Sequence, residues 1–290
     1  MIISLVLTGR NRFNDLNRFF NSLLAQEFAL ENIQLIFVNQ GEFNPRIEIN
    51  GIEKLSFIEV TSGHVSLSVA RNLGIKYATG DIIGFPDDDC WYPSKLLSSL
   101  AEYFLQHPSD AALCTNVFDP YKIASYGGRP LNMRCLVTFF NLFSLPISVG
   151  IFLRRQQFEA VGSFFDENLG AGTRLGSGEE TELVYRLLKH GFIVKYSGYL
   201  QVFHPVPDYQ PHDIDKYHSY GLGFGFLNGR IMRDGFGFYV LPYFSNIIFR
   251  SLAGFGFNLF SPRLRKLYLN RFIGVCFGFF EGLRGKNANS

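Results

Sequence analysis

A chain of 290 residues is long enough to bury a full core and to hold one large domain or two small ones. It is 47% hydrophobic and 16% aromatic, with 32 Phe and only 18% charged residues, so it is greasier than an average soluble domain. The formal net charge of +2 conceals an asymmetry: from residue 217 onward nine basic residues face two acidic ones, and that surplus of seven leaves −5 on residues 1–216. An acidic body with a basic, aromatic tail argues against nucleic acid as a partner and for a membrane surface.

Cys90, Cys114, Cys135 and Cys276 are scattered without a C-x-x-C pair, so they read as core thiols, not as a disulfide frame or a zinc site. Met1 leads straight into an apolar strand pattern with no basic, signal-type segment, and the expected compartment is reducing and cytosolic.

Along the chain, residues 2–7 form a short apolar run that reads as a strand. Leu16, Phe19, Phe20, Leu23 and Leu24 then recur at helical spacing. Residues 34–38 are the next strand, 41–50 a polar loop and 56–60 a third strand. Ser66 or Ser68 can cap a helix bearing Ala70, Leu73 and Tyr77 on one face, closed by Gly80. Residues 81–85 are a fourth strand. Pro93 fits the first turn of a helix whose stripe is Leu96, Leu97, Leu100, Tyr103 and Phe104. This alternation predicts an α/β fold with a parallel sheet covered on both faces and ligands beyond the C-terminal strand ends.

Further strands are expected at 112–116 and 148–153, separated by a Gly- and Pro-bearing loop near 126–130. Residues 170–178 read as a flexible segment that could serve as a lid. A helix over 179–190 follows, with Leu183, Val184, Leu187 and Leu188 inward, then strands at 193–196 and 200–203. One catalytic domain over 1–216 and a helical extension over 217–290 are expected. Within the extension, residues 236–260 are apolar, but Arg250 near the middle spoils a free spanning helix. The basic and aromatic alternation of 263–280 suits a helix lying in the membrane interface; the other reading is a helical subdomain folded on the core.

Two patterns carry chemistry. The apolar run 81–85 ends in Asp87, Asp88 and Asp89, whose like charges repel strongly in a partly dry setting unless a cation sits among them. Oxygen ligands at a strand end suit Mg2+ or Mn2+ holding a substrate phosphate, whereas the bland reading is an acidic turn before a helix. The second pattern is Ser177-Gly178-Glu179-Glu180, which on local grounds reads as a capping box, with Glu182 solvated one turn on.

These segments together resemble the family 2 glycosyltransferases, which have the GT-A fold. The resemblance rests on I-S-L-V-L-T-G-R-N-R at the start, on V-S-L-S-V-A-R-N-L-G-I-K-Y-A-T-G-D-I-I-G-F-P-D-D-D-C-W-Y-P, and on F-E-A-V-G-S-F-F-D-E-N-L-G with G-S-G-E-E-T-E-L-V-Y-R-L-L-K-H-G. It covers about residues 1–205 and implies a GT-A type, mostly parallel sheet sandwiched by helices. The implied reaction is inverting transfer of a sugar from a UDP-, dTDP- or GDP-sugar to a hydroxyl of a glycan or lipid-linked acceptor. Together with the basic, aromatic tail, the resemblance implies a setting in bacterial surface polysaccharide assembly, on the inner face of the cell membrane.

The resemblance places Mg2+ or Mn2+ at Asp87 and Asp89, with Asp88 facing ribose or metal-bound water and His204 as a further contact. It assigns the base that takes the acceptor proton to Glu180, with Glu179 as the fallback, where relatives usually carry Glu-Asp. Thr8, Arg10 and Arg12 beyond the first strand, and Arg71 with Asn72 of the A-R-N element, are expected at the nucleotide. Relatives usually have an acid after the second strand for the base N3–H; here Asn39 can accept through its amide oxygen. A non-catalytic nucleotide-sugar binder or partner subunit is the alternative. A nucleotidyltransferase is less favoured, because residues 8–13 hold one Gly and no Lys.

Overall fold

The computed structural model of the protein describes residues 1–206, 214–258 and 260–285. Residues 207–213, 259 and 286–290, which fall within the expected 1–216 and 217–290 regions, lie outside the described residues. Strand β1 (Ile3–Gly9) is buried throughout, and helix α1 (Phe13–Leu24) follows it with Leu16, Phe19, Phe20 and Leu23 all turned inward. β2 (Ile33–Asn39) lies parallel to β1. In the expected loop after it, Asn44 accepts the Arg46 N–H and Pro45 opens a single turn, α2 (Pro45–Glu48). β3 (Ser56–Thr61) extends the parallel edge beside β2. In α3 (Leu67–Ile75) the cap is Ser66, whereas Ser68 is buried and donates to the Leu169 carbonyl. β4 (Ile82–Gly84) lies on the other side of β1. Helix α4 (Leu96–Gln106) starts three residues after Pro93, because Trp91 is drawn into a two-way backbone pairing with Phe203.

The remaining elements of this part are β5 (Asp110–Asp119), β6 (Ala124–Ser125), β7 (Arg134–Leu136), β8 (Ile151–Arg154), α5 (Arg155–Ala160), α6 (Glu179–Lys189) and β9 (Ile193–Phe203). The two strands expected at 193–196 and 200–203 are one, bulged where pairing jumps from Thr115–Ser197 to Asn116–Gln201. Among the described residues the sheet has nine strands, ordered β3-β2-β1-β4-β8-β5-β9-β7 with β6 beside β5. β1 to β5 and β9 run one way; β6, β7 and β8 run the other. Leu16, Phe20, Leu97 and Leu100 cover one face from α1 and α4, and Ala70, Phe158, Leu183 and Leu187 cover the other from α3, α5 and α6. The result is the expected α/β sandwich, with β8 inserted antiparallel between its halves.

Beyond it come α7 (Ile214–Ile231), a π-type turn (Met232–Phe236), α8 (Gly237–Phe257) and α9 (Pro262–Arg284). α7 and α9 run parallel, with Gly221, Gly225 and Gly229 against the backbone of α9 and Gly274, Gly278 and Gly282 against that of α7. The inner side of this region joins the core: Leu227, Ile231 and Val240 meet the α6 face, and Leu222 and Phe226 cover Leu169 and Leu175. Residues 170–178 are therefore anchored at Leu175 and by an Arg174–Glu281 ion pair, not free as a lid would be. Outer surfaces of α8 and α9 leave Phe238, Phe249, Phe277 and Phe280 exposed, yet no described helix is long and apolar enough to cross a membrane.

A Cβ at Gly225 would collide with the Val275 carbonyl, whereas Gly256 has open space around it. Gly225→Ala should therefore cost about 1–3 kcal/mol and lower the melting temperature by several degrees, while Gly256→Ala leaves it unchanged or raised. Equal melting of the two variants would contradict the close helix pair.

Candidate active site

Asp87 follows β4 and pairs with Thr8 at the end of β1, so the three aspartates lie beyond the C-terminal strand ends. Asp87 accepts from Arg71 Nη2 at 2.8 Å. Asp88 accepts from the Arg10 backbone N–H and from Arg12 Nη1, each at 3.3 Å. Asp89 accepts from Arg12 Nη1 at 2.6 Å and lies 2.9 Å from Nε2 of His204, at the end of β9. Burial pushes Asp88 up to about 6 despite Arg12. Burial acts on Asp89 in the same sense, but the hydrogen bonds and charges of His204 and Arg12 prevail and hold it at about 2. For His204 burial favours the neutral ring, and the bond to Asp89 overcomes it, so its pKa is raised.

Arg71 is 0% exposed, although a helix-borne arginine of this kind reads locally as a surface charge. Its Nη1 reaches Glu179 at 3.4 Å while Nη2 holds Asp87, so one guanidinium ties the strand-end turn to the start of α6. The Phe165 ring lies 5.2 Å beneath it. Glu179 is buried, and burial with the neighbouring Glu180 raises it from the usual 4.5 to about 8. Arg71 offsets this only in part, since its shorter bond goes to Asp87.

Glu180 is half-buried and makes no hydrogen bond or ion pair with another described residue. The capping box is absent: the helix starts on Gly178 at φ 99°, and Ser177 Oγ donates to the Tyr220 carbonyl. Only glycine adopts that backbone readily, which frees Glu180 from the cap. Glu182 is 1% exposed rather than solvated, gripped by Arg186 at 2.8 Å and Arg230 at 3.3 Å.

Thr8 is buried beside Asp87, and Arg10 is exposed next to Asp88. Asn39 spends its amide within its own neighbourhood: its oxygen accepts the Gly41 N–H, and its Nδ2 donates to Phe43 O and to Glu59 at 2.8 Å. Asn72 is turned to residues 165–167, exchanging hydrogen bonds with the Phe165 backbone and donating to Glu167. The structure thus brings together Asp87–Asp89, Thr8, Arg10, Arg12, His204, Arg71 and the Glu179–Glu180 pair, and turns the amides of Asn39 and Asn72 elsewhere.

Two residues join this set that sequence reasoning missed. Glu59 places an acid beside Asn39 from the neighbouring strand; its parallel pairing with β2 was the available signal. Arg129 is bound by the carbonyls of Tyr126, Leu145 and Pro146, close enough to Glu180 for that carboxylate to oppose the lowering that burial imposes on it. No local pattern marks it.

Among the described residues no group of three or more His, Cys, Asp or Glu is gathered as a ready metal cage. The donor chemistry nevertheless fits a hard divalent ion. Asp89 lies within hydrogen-bond distance of His204, Asp87 lies on the same turn, and Asp88, raised by burial and then by the charges of Asp89 and Asp87 against the pull of Arg12, would be helped by a further cation. Mg2+ in particular is commonly held by one or two carboxylates together with substrate phosphates.

Carboxylates beyond the ends of a parallel half-sheet, faced by an acidic helix start and completed by antiparallel strands, make up the architecture of GT-A glycosyltransferases. The chain belongs to glycosyl transferase family 2, whose family model matches residues 4–162. An uncharacterized glycosyltransferase of Haemophilus influenzae is 31% identical over 110 residues, covering 37% of this chain and 43% of the relative. The chain therefore matches less than half of that relative's length. A mannosyltransferase, PcManGT from Pyrobaculum calidifontis in complex with GDP-Man and Mn2+, shares the fold at 12% identity with a TM-score of 0.65, over 96% of this chain and 86% of that one. S. aureus TarS does so at 15% identity and a TM-score of 0.58, over 98% of this chain and 55% of TarS. TarS 1-349 in complex with UDP-GlcNAc gives 14% identity and 0.55, over 99% and 93%.

Arg71→Met would leave two carboxylates without their shared cation and should cost about 3–5 kcal/mol in urea unfolding. Arg71→Lys, a point charge that cannot fork to both, should recover only part of this. Full stability in either variant would refute the bridge. Because Glu179 binds its proton more tightly folded than unfolded, its contribution to stability falls as pH rises from 4.5 to about 8. Glu179→Gln, which stays neutral, should flatten that decline in a pH series of unfolding curves; an unchanged slope would contradict the shift.

Proposed function

We propose that the protein transfers a sugar, with inversion at the anomeric carbon, from a UDP-, dTDP- or GDP-sugar to a hydroxyl of a glycan or lipid-linked acceptor. The observation that carries this reading is the uncommitted Glu180 carboxylate at the start of α6, held through Glu179 and Arg71 to the strand-end turn of Asp87–Asp89. The turn suits the donor's diphosphate and the glutamate suits the acceptor. Asp87, Asp89 and His204 are the residues to hold Mg2+ or Mn2+, which when bound supplies positive charge to the departing diphosphate.

Arg12, exposed on one side and bonded to Asp89 on the other, can exchange that bond for a phosphate oxygen. Thr8 and Arg10 flank the same strand end, and Glu59 behind Asn39 supports the loop where a base would rest. Glu180 takes the hydroxyl proton as the acceptor oxygen bonds to the anomeric carbon, and the bond from that carbon to the diphosphate oxygen breaks on the opposite side.

The basic tail with its exposed aromatics supports a peripheral place on the cytoplasmic face of a membrane, within bacterial surface polysaccharide assembly. Phe257 is 88% exposed and Phe260 is 101% exposed, at the turn between α8 and α9 and beside the cations Arg263, Arg265 and Lys266.

Incubating the full chain with Mn2+ and a panel of nucleotide sugars should release UDP, dTDP or GDP from at least one donor. Glu180→Gln should bind that nucleotide normally and lose about 10²–10⁴-fold in transfer, whereas Glu179→Gln retains most activity. Full transfer by Glu180→Gln would assign the base elsewhere. Replacing Phe257 and Phe260 together by Ser should reduce co-sedimentation with phosphatidylserine vesicles; unchanged sedimentation would remove this turn from membrane contact.

A further inference from the structure

α7, α8 and α9 enclose a cavity of about 820 Å³, the size of a site for a substantial organic ligand. Three cationic side chains line it, Lys216, Arg250 and Arg271, and no acidic side chain among its described lining residues answers them. Lys216 lies over the ring of Tyr220, but Arg250 and Arg271 make no hydrogen bond or ion pair with another described residue. Arg271 is partly buried, and its pKa is lowered first by that burial and then by the charge of Arg250. A partly buried guanidinium beside a second, exposed one, with no acid of the described lining to answer either, is unfavourable on its own, so this arrangement favours an anion. A planar guanidinium pair matches phosphate oxygens well.

The rest of the wall is apolar and aromatic, which no free inorganic anion needs. Phe224, Tyr243, Leu267 and Tyr268 supply it from all three helices, and exposed Phe249 and Phe257 stand at its rim. The opposite side reaches the catalytic groups. Tyr126 lines the cavity and packs edge-on against His204, the partner of Asp89, at 5.7 Å between ring centres. Tyr243, also in the wall, is near enough to Arg129 to influence it, as Glu180 is.

From these placements we infer that the cavity is the acceptor site and takes a lipid phosphate or pyrophosphate: Arg250 and Arg271 hold the anionic head, and the aromatic walls hold the first part of the hydrocarbon chain. The chain enters past Phe249 and Phe257, and a sugar carried on the phosphate presents its hydroxyl toward Glu180. The inference rests on the sugar-transfer reading only for the role as acceptor; the binding itself stands apart from it.

Titration calorimetry on the full chain can use farnesyl phosphate below its micellar concentration, with farnesol and inorganic pyrophosphate as comparison probes. Farnesyl phosphate should bind saturably at one equivalent, at least about tenfold more tightly than either comparison probe. Arg271→Gln and, separately, the exposed Arg250→Gln should each weaken it about tenfold or more while leaving binding of the donor nucleotide unchanged. Farnesol binding as well as its phosphate, pyrophosphate matching farnesyl phosphate, or both variants binding like the parent would each overturn the proposal. Absence of nucleotide binding with farnesyl phosphate still bound would sink the sugar-transfer reading alone. Nucleotide binding without farnesyl phosphate would sink the cavity assignment alone.

Discussion

The guanidinium of Arg71, with no surface exposed, holds two carboxylates that arrive from opposite sides of the cleft. Asp87 comes from the turn after β4 and Glu179 from the start of α6, 92 positions later in the chain. A buried arginine needs a counter-charge, which Asp87 supplies, and its second contact reaches the buried Glu179 carboxyl, so its burial ties both ends together. With Glu179 occupied by Arg71, the half-buried Glu180 is left without a hydrogen bond from its carboxylate to another described residue, near enough to Arg129 to act on its charge. Which member of the acidic pair is tied and which is left unbonded therefore follows from which carboxylate the buried cation reaches.

The helical extension is part of the same arrangement. Three glycines on each of α7 and α9 let the two backbones approach closely, and α7 in turn covers Leu169 and Leu175 beside the helix that carries the acidic pair. Ion pairs Arg230–Glu182 and Lys189–Asp234 join α7 and the turn after it to α6. The reading of the tail as a helical subdomain folded on the core holds for its inner side, while its outer side presents exposed aromatic rings among basic residues. Between those surfaces lies the cavity with two arginines that no described acidic side chain of its lining answers.

Much of the catalytic half was legible because its signals are local. β1 to β4 and α1, α3 and α4 follow from apolar runs and three-to-four spacing, and the aspartate turn follows from the abrupt end of a buried strand. What was not legible depends on distant partners. Glu182 reads as solvated one turn into a helix, but Arg230 from α7 reaches it. Ser177-Gly-Glu-Glu has the pattern of a capping box, yet the positive φ of Gly178 redirects the chain. Pro93 looks like a helix start, but pairing of Trp91 with Phe203 delays the helix to Leu96. Burial of Arg71 could not be read from its helix, since both its anions lie beyond it in sequence.

The central claim is that the strand-end aspartates and the α6 glutamate face one substrate across a cleft spanned by Arg71. A crystal structure of the full chain with Mn2+ and an intact, slowly reacting donor analogue tests it most directly. The account predicts the diphosphate against Asp87–Asp89 and His204, with the Glu180 carboxylate on the far side of the anomeric carbon and the Arg71 bridge unbroken. A diphosphate bound elsewhere, or Glu180 turned away from the sugar, would contradict it.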